Sequence, residues 1–365
     1  MSDTPKPEIL IIDDDPIVCE SLESIIRGMG YYTATFQDAK RALEYFENEK
    51  NPVVLLDINL PSEGGLELLP KLKSVSPGSQ IMMMTGSRDL ESIVYSVANN
   101  ASDYLLKPFS PKLVQHSIEK AFSVYKIIRD KEIQEESILR DLRLASKIQR
   151  KIFLHTDNSK YRIFTEVYPA RYVSGDFVLT MNLNDDEIFM MMGDIEDHGV
   201  TSGLIAFLMI AVAREHIKIH NDPSIILEKL NQELIREVGT HSMSAIISIY
   251  NKKTKILRSS RGGHTFPIII RSKEGKVEFQ KERTGNLLGI MEDAKFENSE
   301  VSLQEGDLYL LYSDGLMNST NHSLVSDLSH LGANKFEEAK EIIHRYAESQ
   351  KGNLLDDLSF YLIEV

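Results

Sequence analysis

The sequence predicts two domains of different class: an α/β domain with a doubly wound parallel sheet, then an α+β domain built on antiparallel sheets. Three observations carry this expectation. From Ile9 to about Lys120, short apolar runs alternate with helical patterns, as in a parallel sheet covered on both faces. Beyond about residue 155, strand-like and helix-like segments come in blocks, which suits antiparallel sheets with segregated helices. The chain has 365 residues, room for two domains of roughly 100–200 residues.

In the first domain, EILII ends in three aspartates, and a helical stretch follows from Ile17 to Met29, stopped by Gly30. VVLLD (Val53 to Asp57), IMMMTG (Ile81 to Gly86) and DYLLKP (Asp103 to Pro108) read as further buried strands, separated by helices. From Pro111 to Phe153 there is little Gly or Pro and much charge, so one long helix is expected, with Pro111 placed to start it. Val114, Ile118, Ala121, Tyr125 and Ile128 follow heptad spacing, which Glu132 and Glu135 break. Two readings stay open: a last domain helix running into a solvated linker, or a coiled coil that dimerises. The domains are then 1–120, a helical linker over 121–154, and 155–365. In the last, strands are expected near Arg162–Tyr168, Ile188–Gly193, Ser244–Tyr250, Pro267–Arg271, Asp307–Ser313 and Leu358–Ile363, with helices at Thr201–His216 and Ser224–Val238.

Composition narrows the function. The formal net charge is −14, which argues against a nucleic-acid-binding output and fits carboxylate pockets that collect cations. The single cysteine, Cys19, excludes an internal disulfide and a Cys-rich zinc site. Neither a membrane-spanning apolar run nor a signal peptide is recognised, so a cytoplasmic protein is expected. The methionine runs 82–84 and 190–192 read as strand core.

Two sets of acids carry the chemistry. Asp13 and Asp14 follow the first strand, Asp57 and Thr85 end two others, and Lys107 ends DYLLK. In an open parallel sheet, ligands bind at the carboxyl ends of the strands. Three acids there suit a hard ion such as Mg2+, beside which a carboxylate can accept a phosphoryl group. The motifs IIDDDP, LLDINLP, MMTGS and YLLKPF closely resemble those of a response-regulator receiver domain, which is flavodoxin-like with a five-stranded sheet. That resemblance implies Asp57 as phosphoacceptor. It implies Asp13, Asp14, Asp57 and the Asn59 carbonyl as Mg2+ ligands, Thr85 and Tyr104 as switch residues, and Lys107 as the phosphate contact.

The second set lies in VSGDF (Asp176), MGDIEDHG (Asp194), YSDGL (Asp314) and DDLS (Asp356, Asp357). Acids distant in sequence but each near a strand end can converge on two divalent ions about 3.5–4 Å apart, which activate a water. From about residue 145 these blocks, with DLRLASKIQRKIF, RGGHTFP and GNLLGI, resemble the PP2C-type phosphatases of the stage-II-sporulation E and sigma-B-regulator group. The resemblance implies an antiparallel β-sandwich flanked by helices, holding two Mn2+ or Mg2+ ions. It implies Asp194 as bridging and catalytic ligand, with the Ile195 carbonyl, Asp314 and Asp356 as further ligands, Asp176 in the first acidic block and Asp357 assisting. Two departures stand out: Leu179 replaces a second acid, and Glu196 and Asp197 replace small residues after the bridging Asp. His198 and His264 are read as outside a ligand set that prefers oxygen.

Together the resemblances imply a sensor histidine kinase as phosphate donor and a phosphoserine or phosphothreonine protein as substrate, an anti-sigma-factor antagonist in a partner-switching circuit. The competing reading is an inactive adaptor of this type that binds a sigma factor. A transcription factor lacks a basic helix-turn-helix.

Overall fold

The computed structural model describes all residues except 1–7, 62, 87–99, 154–160, 282–284, 317–321 and 352–353. The chain divides into two compact units, residues 1–138 and 139–365.

In the first unit, β1 (Glu8–Ile12), β2 (Tyr32–Phe36), β3 (Val53–Asp57), β4 (Gln80–Thr85) and β5 (Asp103–Leu106) form a parallel sheet in the order β2-β1-β3-β4-β5. Helices α1 (Pro16–Gly28), α2 (Ala39–Glu49) and α3 (Gly65–Val75) connect them. Strand residues alternate between two apolar layers: Met83 packs on the side of α2 and α3, Met82 and Met84 on the side of α1. The helix expected between β4 and β5 falls outside the described residues. The third aspartate of IIDDDP, Asp15, caps α1 by accepting a hydrogen bond from Ile17 N–H at 2.8 Å, leaving Asp13 and Asp14 for the strand end.

Helix α4 (Pro111–Phe153) is continuous. Its first turns bury Val114, Ile118 and Ala121 in the α1-side layer of the first unit. The heptad expected there is therefore largely this unit's own packing face and not a free coiled-coil seam. Residues 129–138 are all exposed, because the run Arg-Asp-Lys-Glu-Ile-Gln-Glu-Glu-Ser-Ile has too few apolar side chains to need cover. Gln149 and Phe153 are buried again, Phe153 in the core of the second unit.

That unit is a four-layer sandwich. One antiparallel sheet runs β13 (Asn298–Ser302), β10 (Ile256–Gly262), β9 (Met243–Asn251), β8 (Glu187–Ile195), β7 (Phe177–Asn182). The other runs β12 (Lys276–Phe279), β11 (Ile268–Arg271), β14 (Leu308–Tyr312), β15 (Leu358–Glu364), β6 (Arg162–Tyr168). Period-two alternation sorts the methionine run: Met190 and Met192 fill the space between the sheets, and Met191 faces helices α5 (Val200–Ile217) and α6 (Pro223–Glu237). Helices α7 (His322–Leu328) and α8 (Lys335–Gln350) cover the second sheet. Helix α5 is long and apolar enough by composition to cross a bilayer, although Thr201, Ser202, Arg214, Glu215 and His216 interrupt its apolar run. Here Ile205, Ala206, Met209, Ile210, Ala213 and Ile217 are buried in the helix-sheet core.

The turn after β3 tolerates no side chain at its helix start. A Cβ on Gly65 would lie 1.9 Å from the Asp57 carbonyl oxygen, whereas one on Gly28 meets nothing within 4 Å. Gly65→Ala is expected to destabilise the first unit by about 2 kcal/mol or more, and Gly28→Ala to leave it unchanged or raise it by up to about 1 kcal/mol. Urea unfolding of the two variants checks the contrast; equal midpoints would contradict it.

Candidate functional site

Each unit gathers acids at one end of its strands. In the first, carboxylate oxygens of Asp13, Asp14 and Asp57 lie within 4.8 Å of one another. Asp13 and Asp57 are buried and Asp14 is exposed. Lys107 Nζ bridges the buried pair, 2.7 Å from Asp13 Oδ2 and 2.9 Å from Asp57 Oδ1. Burial pushes the Asp57 carboxyl up, and the Lys107 hydrogen bond opposes this. Burial alone would lower Lys107, but its bonds to Asp13 and Asp57 outweigh it and raise the ammonium. Thr85 is buried at the end of β4, and its carbonyl accepts from Lys107 N–H at 2.8 Å. Tyr104 lies half-buried on β5, and Asn59 is exposed two residues past Asp57. An all-oxygen set with one acid open to solvent fits a hard divalent cation.

In the second unit, Asp194 near the end of β8, Asp314 after β14 and Asp356 before β15 line an open cavity of about 380 Å³. Ile195, Glu196, Asp197, Ser244 and His264 share its wall. Burial first, and then the neighbouring Asp314 carboxylate, push Asp194 up to about 7. Asp314 is raised by burial and by Asp356. Asp176 is 1% exposed, with the Ser313 and Ser359 hydroxyls beside its carboxyl. Burial, Asp194 and Asp357 drive its carboxyl well above the usual range. A buried carboxylate crowded by other carboxylates is costly unless cations offset it, so this donor set fits hard metal ions. The acids are more widely spread than in the first unit: among the described residues, Asp13, Asp14 and Asp57 are the only three-residue group within 4.8 Å.

Asp357 stands apart from the expectation that it assists as a ligand. Its Oδ1 accepts from Ala170 N–H at 2.7 Å and its Oδ2 from Gly175 N–H at 2.6 Å. It is 3% exposed and does not line the cavity; its carboxylate is spent on holding the first acidic loop. Gln149 of α4 holds the same loop from the other side. Its amide donates to Ser174 C=O and accepts from Ser174 N–H, both at 2.8 Å. No motif of acids could have pointed to Gln149; its signal was a polar residue on the otherwise apolar face of the last helical turns.

The comparisons follow this division. A family model described as response regulator receiver domain matches residues 9–119, and one described as stage II sporulation protein E matches residues 184–365. The chain joins a response-regulator receiver domain to a PP2C-type domain. The DNA-binding response regulator MtrA of Mycolicibacterium smegmatis is 37% identical over 110 residues, 30% of this chain and 48% of MtrA. The transcriptional regulatory protein ZraR of Escherichia coli is 31% identical over 116 residues, 32% of this chain and 26% of ZraR. The chain thus spans about half the length of MtrA and about a quarter of ZraR. The SiaA-PP2C domain of Pseudomonas aeruginosa is similar in fold, with TM-score 0.55 at 22% identity, over 64% of this chain and 98% of that one.

The departures from the PP2C pattern find physical places. Leu179 is 3% exposed in the helix-facing core, so that position faces away from the cavity. Glu196 is tied by Oε2 to Ser242 N–H and Oγ–H. Asp197 takes φ +67 and Gly199 φ +113, the left-handed backbone that turns the chain from β8 into α5.

Burial and the Asp314 carboxylate raise Asp194 above its ordinary value of 3.8, so folding without metal favours its protonated form. The folded state then binds more protons, so stability falls as pH rises from about 4 to about 7. Metal-free Asp194→Asn should therefore melt above wild type at pH 8 and close to it at pH 4; thermal melts in chelator with no such divergence would contradict this. Gln149→Leu strands both Ser174 backbone groups in the interior. It is expected to cost about 2–4 kcal/mol, read as an earlier urea transition of this domain.

Proposed function

We propose that phosphoryl transfer from a sensor histidine kinase to Asp57 controls a metal-dependent phosphoserine/phosphothreonine phosphatase in the PP2C-type domain. The observation that carries this reading is the open cavity rimmed by Asp194, Asp314 and Asp356, in a chain that also holds the Asp13, Asp14, Asp57 and Lys107 constellation.

In the receiver, Asp13, Asp14, Asp57 and the Asn59 carbonyl hold Mg2+, which screens the incoming phosphoryl charge when bound. The Asp57 carboxylate attacks phosphorus, and the P–N bond to the kinase's phosphohistidine breaks, releasing its imidazole. Lys107, already paired with Asp57, then contacts the phosphoryl oxygens, and Thr85 and Tyr104 respond to the new charge. In the PP2C-type domain, Asp194 and the Ile195 carbonyl, with Asp314 and Asp356, hold two Mn2+ or Mg2+ ions. Bound there, the ions supply an activated water and neutralise the phosphoryl charge. Asp176 adds buried negative charge behind Asp194, and Asp357 fixes the loop that carries it. The substrate fitting this circuit is a phosphorylated anti-sigma-factor antagonist. A homodimer through α4 is supported by exposed Ile127, Ile138 and Ile148. The wider spread of the second acid set is the observation that favours the alternative, a catalytically silent adaptor that captures a sigma factor.

Hydrolysis of a phosphoserine peptide, assayed with Mn2+, Mg2+ or chelator and with or without beryllofluoride, tests both halves. Metal-dependent turnover is expected, lowered at least about 100-fold in Asp194→Ala, and its response to beryllofluoride is expected to vanish in Asp57→Asn. Full turnover in Asp194→Ala would remove the assignment of this cavity. An unaltered beryllofluoride response in Asp57→Asn would remove the assignment of the receiver.

A further inference from the structure

The cavity wall holds a polar pair that the proposed chemistry leaves unused. Ser244 on β9 lies opposite Asp194 on β8 in the antiparallel register. Residues so paired present their side chains on one face with Cβ atoms about 4.5–5.5 Å apart, so Ser244 and Asp194 share a face of the sheet, and both line the cavity. Ser244 Oγ lies 2.7 Å from His264 Nδ1. His264 is 3% exposed, and its Nε2 has no hydrogen-bond partner. The Arg261 guanidinium donates to the His264 carbonyl; burial, and then this cation, hold the imidazole neutral.

A neutral imidazole has one N–H, and the position of that proton is assigned from its surroundings. On Nε2 it would be a buried donor without an acceptor, which is costly and rare. On Nδ1 it is used. Nδ1–H therefore donates and Ser244 Oγ accepts, which leaves the Ser244 O–H free for a different acceptor. The other hydroxyls in the wall are committed: Ser242 donates to Glu196 Oε2, and Thr265 donates to the Tyr312 carbonyl. Among the described residues, in a cavity whose ionised side chains can only accept, Ser244 is the one lining hydroxyl left to donate.

We propose that Ser244 donates a hydrogen bond to a phosphoryl oxygen of the substrate, and that His264 is the positioning residue that holds its hydroxyl in the donating orientation. This rests on the phosphatase reading for its substrate class. Ser244 here is a contact to the phosphoryl group, separate from the acids that hold the ions.

The test uses the full chain, with inorganic phosphate as probe. Phosphate affinity for the Mn2+-loaded protein is measured by calorimetry, alongside Mn2+ affinity, thermal melts and turnover of the phosphoserine peptide. Ser244→Ala should weaken phosphate binding and lower kcat/KM by about 10- to 100-fold, the usual range for a hydrogen bond to a charged group. Mn2+ affinity should stay within about twofold. Ser244→Thr, which keeps the hydroxyl, should recover most of the loss. His264→Asn, whose amide nitrogen sits near the place of Nδ1, should retain more phosphate affinity than His264→Leu at matched melting temperature. Unchanged phosphate binding in Ser244→Ala, or a parallel loss of Mn2+ affinity, would overturn the assignment. If wild type turns over the peptide but Ser244→Ala behaves like it, this inference alone falls. If wild type shows no turnover yet binds phosphate through Ser244, the phosphatase reading falls and the contact stands.

Discussion

Like charges packed together inside a protein repel, and that repulsion is the constraint on which both units are arranged. Two unit charges about 4 Å apart cost roughly 4 kcal/mol at the effective dielectric of a protein surface. The receiver meets this with a cation of its own: Lys107 lies between Asp13 and Asp57 and offsets one of the three acid charges. The PP2C-type domain meets it differently. No Lys or Arg lines its cavity among the described residues, and the carboxyls of Asp176, Asp194, Asp314 and Asp357 are all pushed upward. The first cluster is preformed for one ion. The second is held in tension, which bound cations would relieve.

Holding acids in tension requires rigid backbone behind them. Asp357 takes two N–H donors, from Ala170 and Gly175, and Gln149 fixes both backbone groups of Ser174. Ser313 and Ser359 are joined twice, by a backbone bond of 3.0 Å and by the Ser313 hydroxyl accepting from Ser359 N–H at 2.9 Å. Gly315 passes so close to the Asp357 carbonyl that a Cβ there would lie 2.2 Å from it. These ties connect the segments before β7, after β14 and before β15, so no single acidic loop sets its own position.

The sequence was legible where periodicity and chemistry coincide. The apolar runs IMMMTG and IFMMMG, which lead to Thr85 and Asp194, became β4 and β8. It was opaque where burial is polar or cover is charged. Strand β10, ILRSSRG, buries Ser259, Ser260 and Arg261, and a polar run does not announce an inner strand. Edge strands β2, β12 and β13 leave much of their length exposed, so their pattern is weak. Helix α8 carries the charged run KFEEAKEIIHRYAESQ but buries Phe336, Ala339, Ile343 and Ala347 on one stripe. At the candidate site, the acids could be read from their motifs. The separation of Asp357 from the cavity could not, because it depends on two backbone donors more than 180 residues earlier in the chain.

Helix α4 shows why a boundary drawn from composition differs from one drawn by contacts. Its charged middle reads as linker, yet its last turns are structural parts of the PP2C-type domain through Gln149 and Phe153. Asp176 follows directly on residues 174 and 175, and its own N–H donates to Ser174 Oγ at 3.0 Å, so its place depends on that backbone. That backbone is gripped by Gln149 on one side and Asp357 on the other. A displacement of the last turn of α4 would therefore be felt at a buried charge without passing through the hydrophobic core. The Asp176 and Asp194 carboxyls repel each other, so an influence carried by α4 needs only a small movement to alter the electrostatics at Asp194.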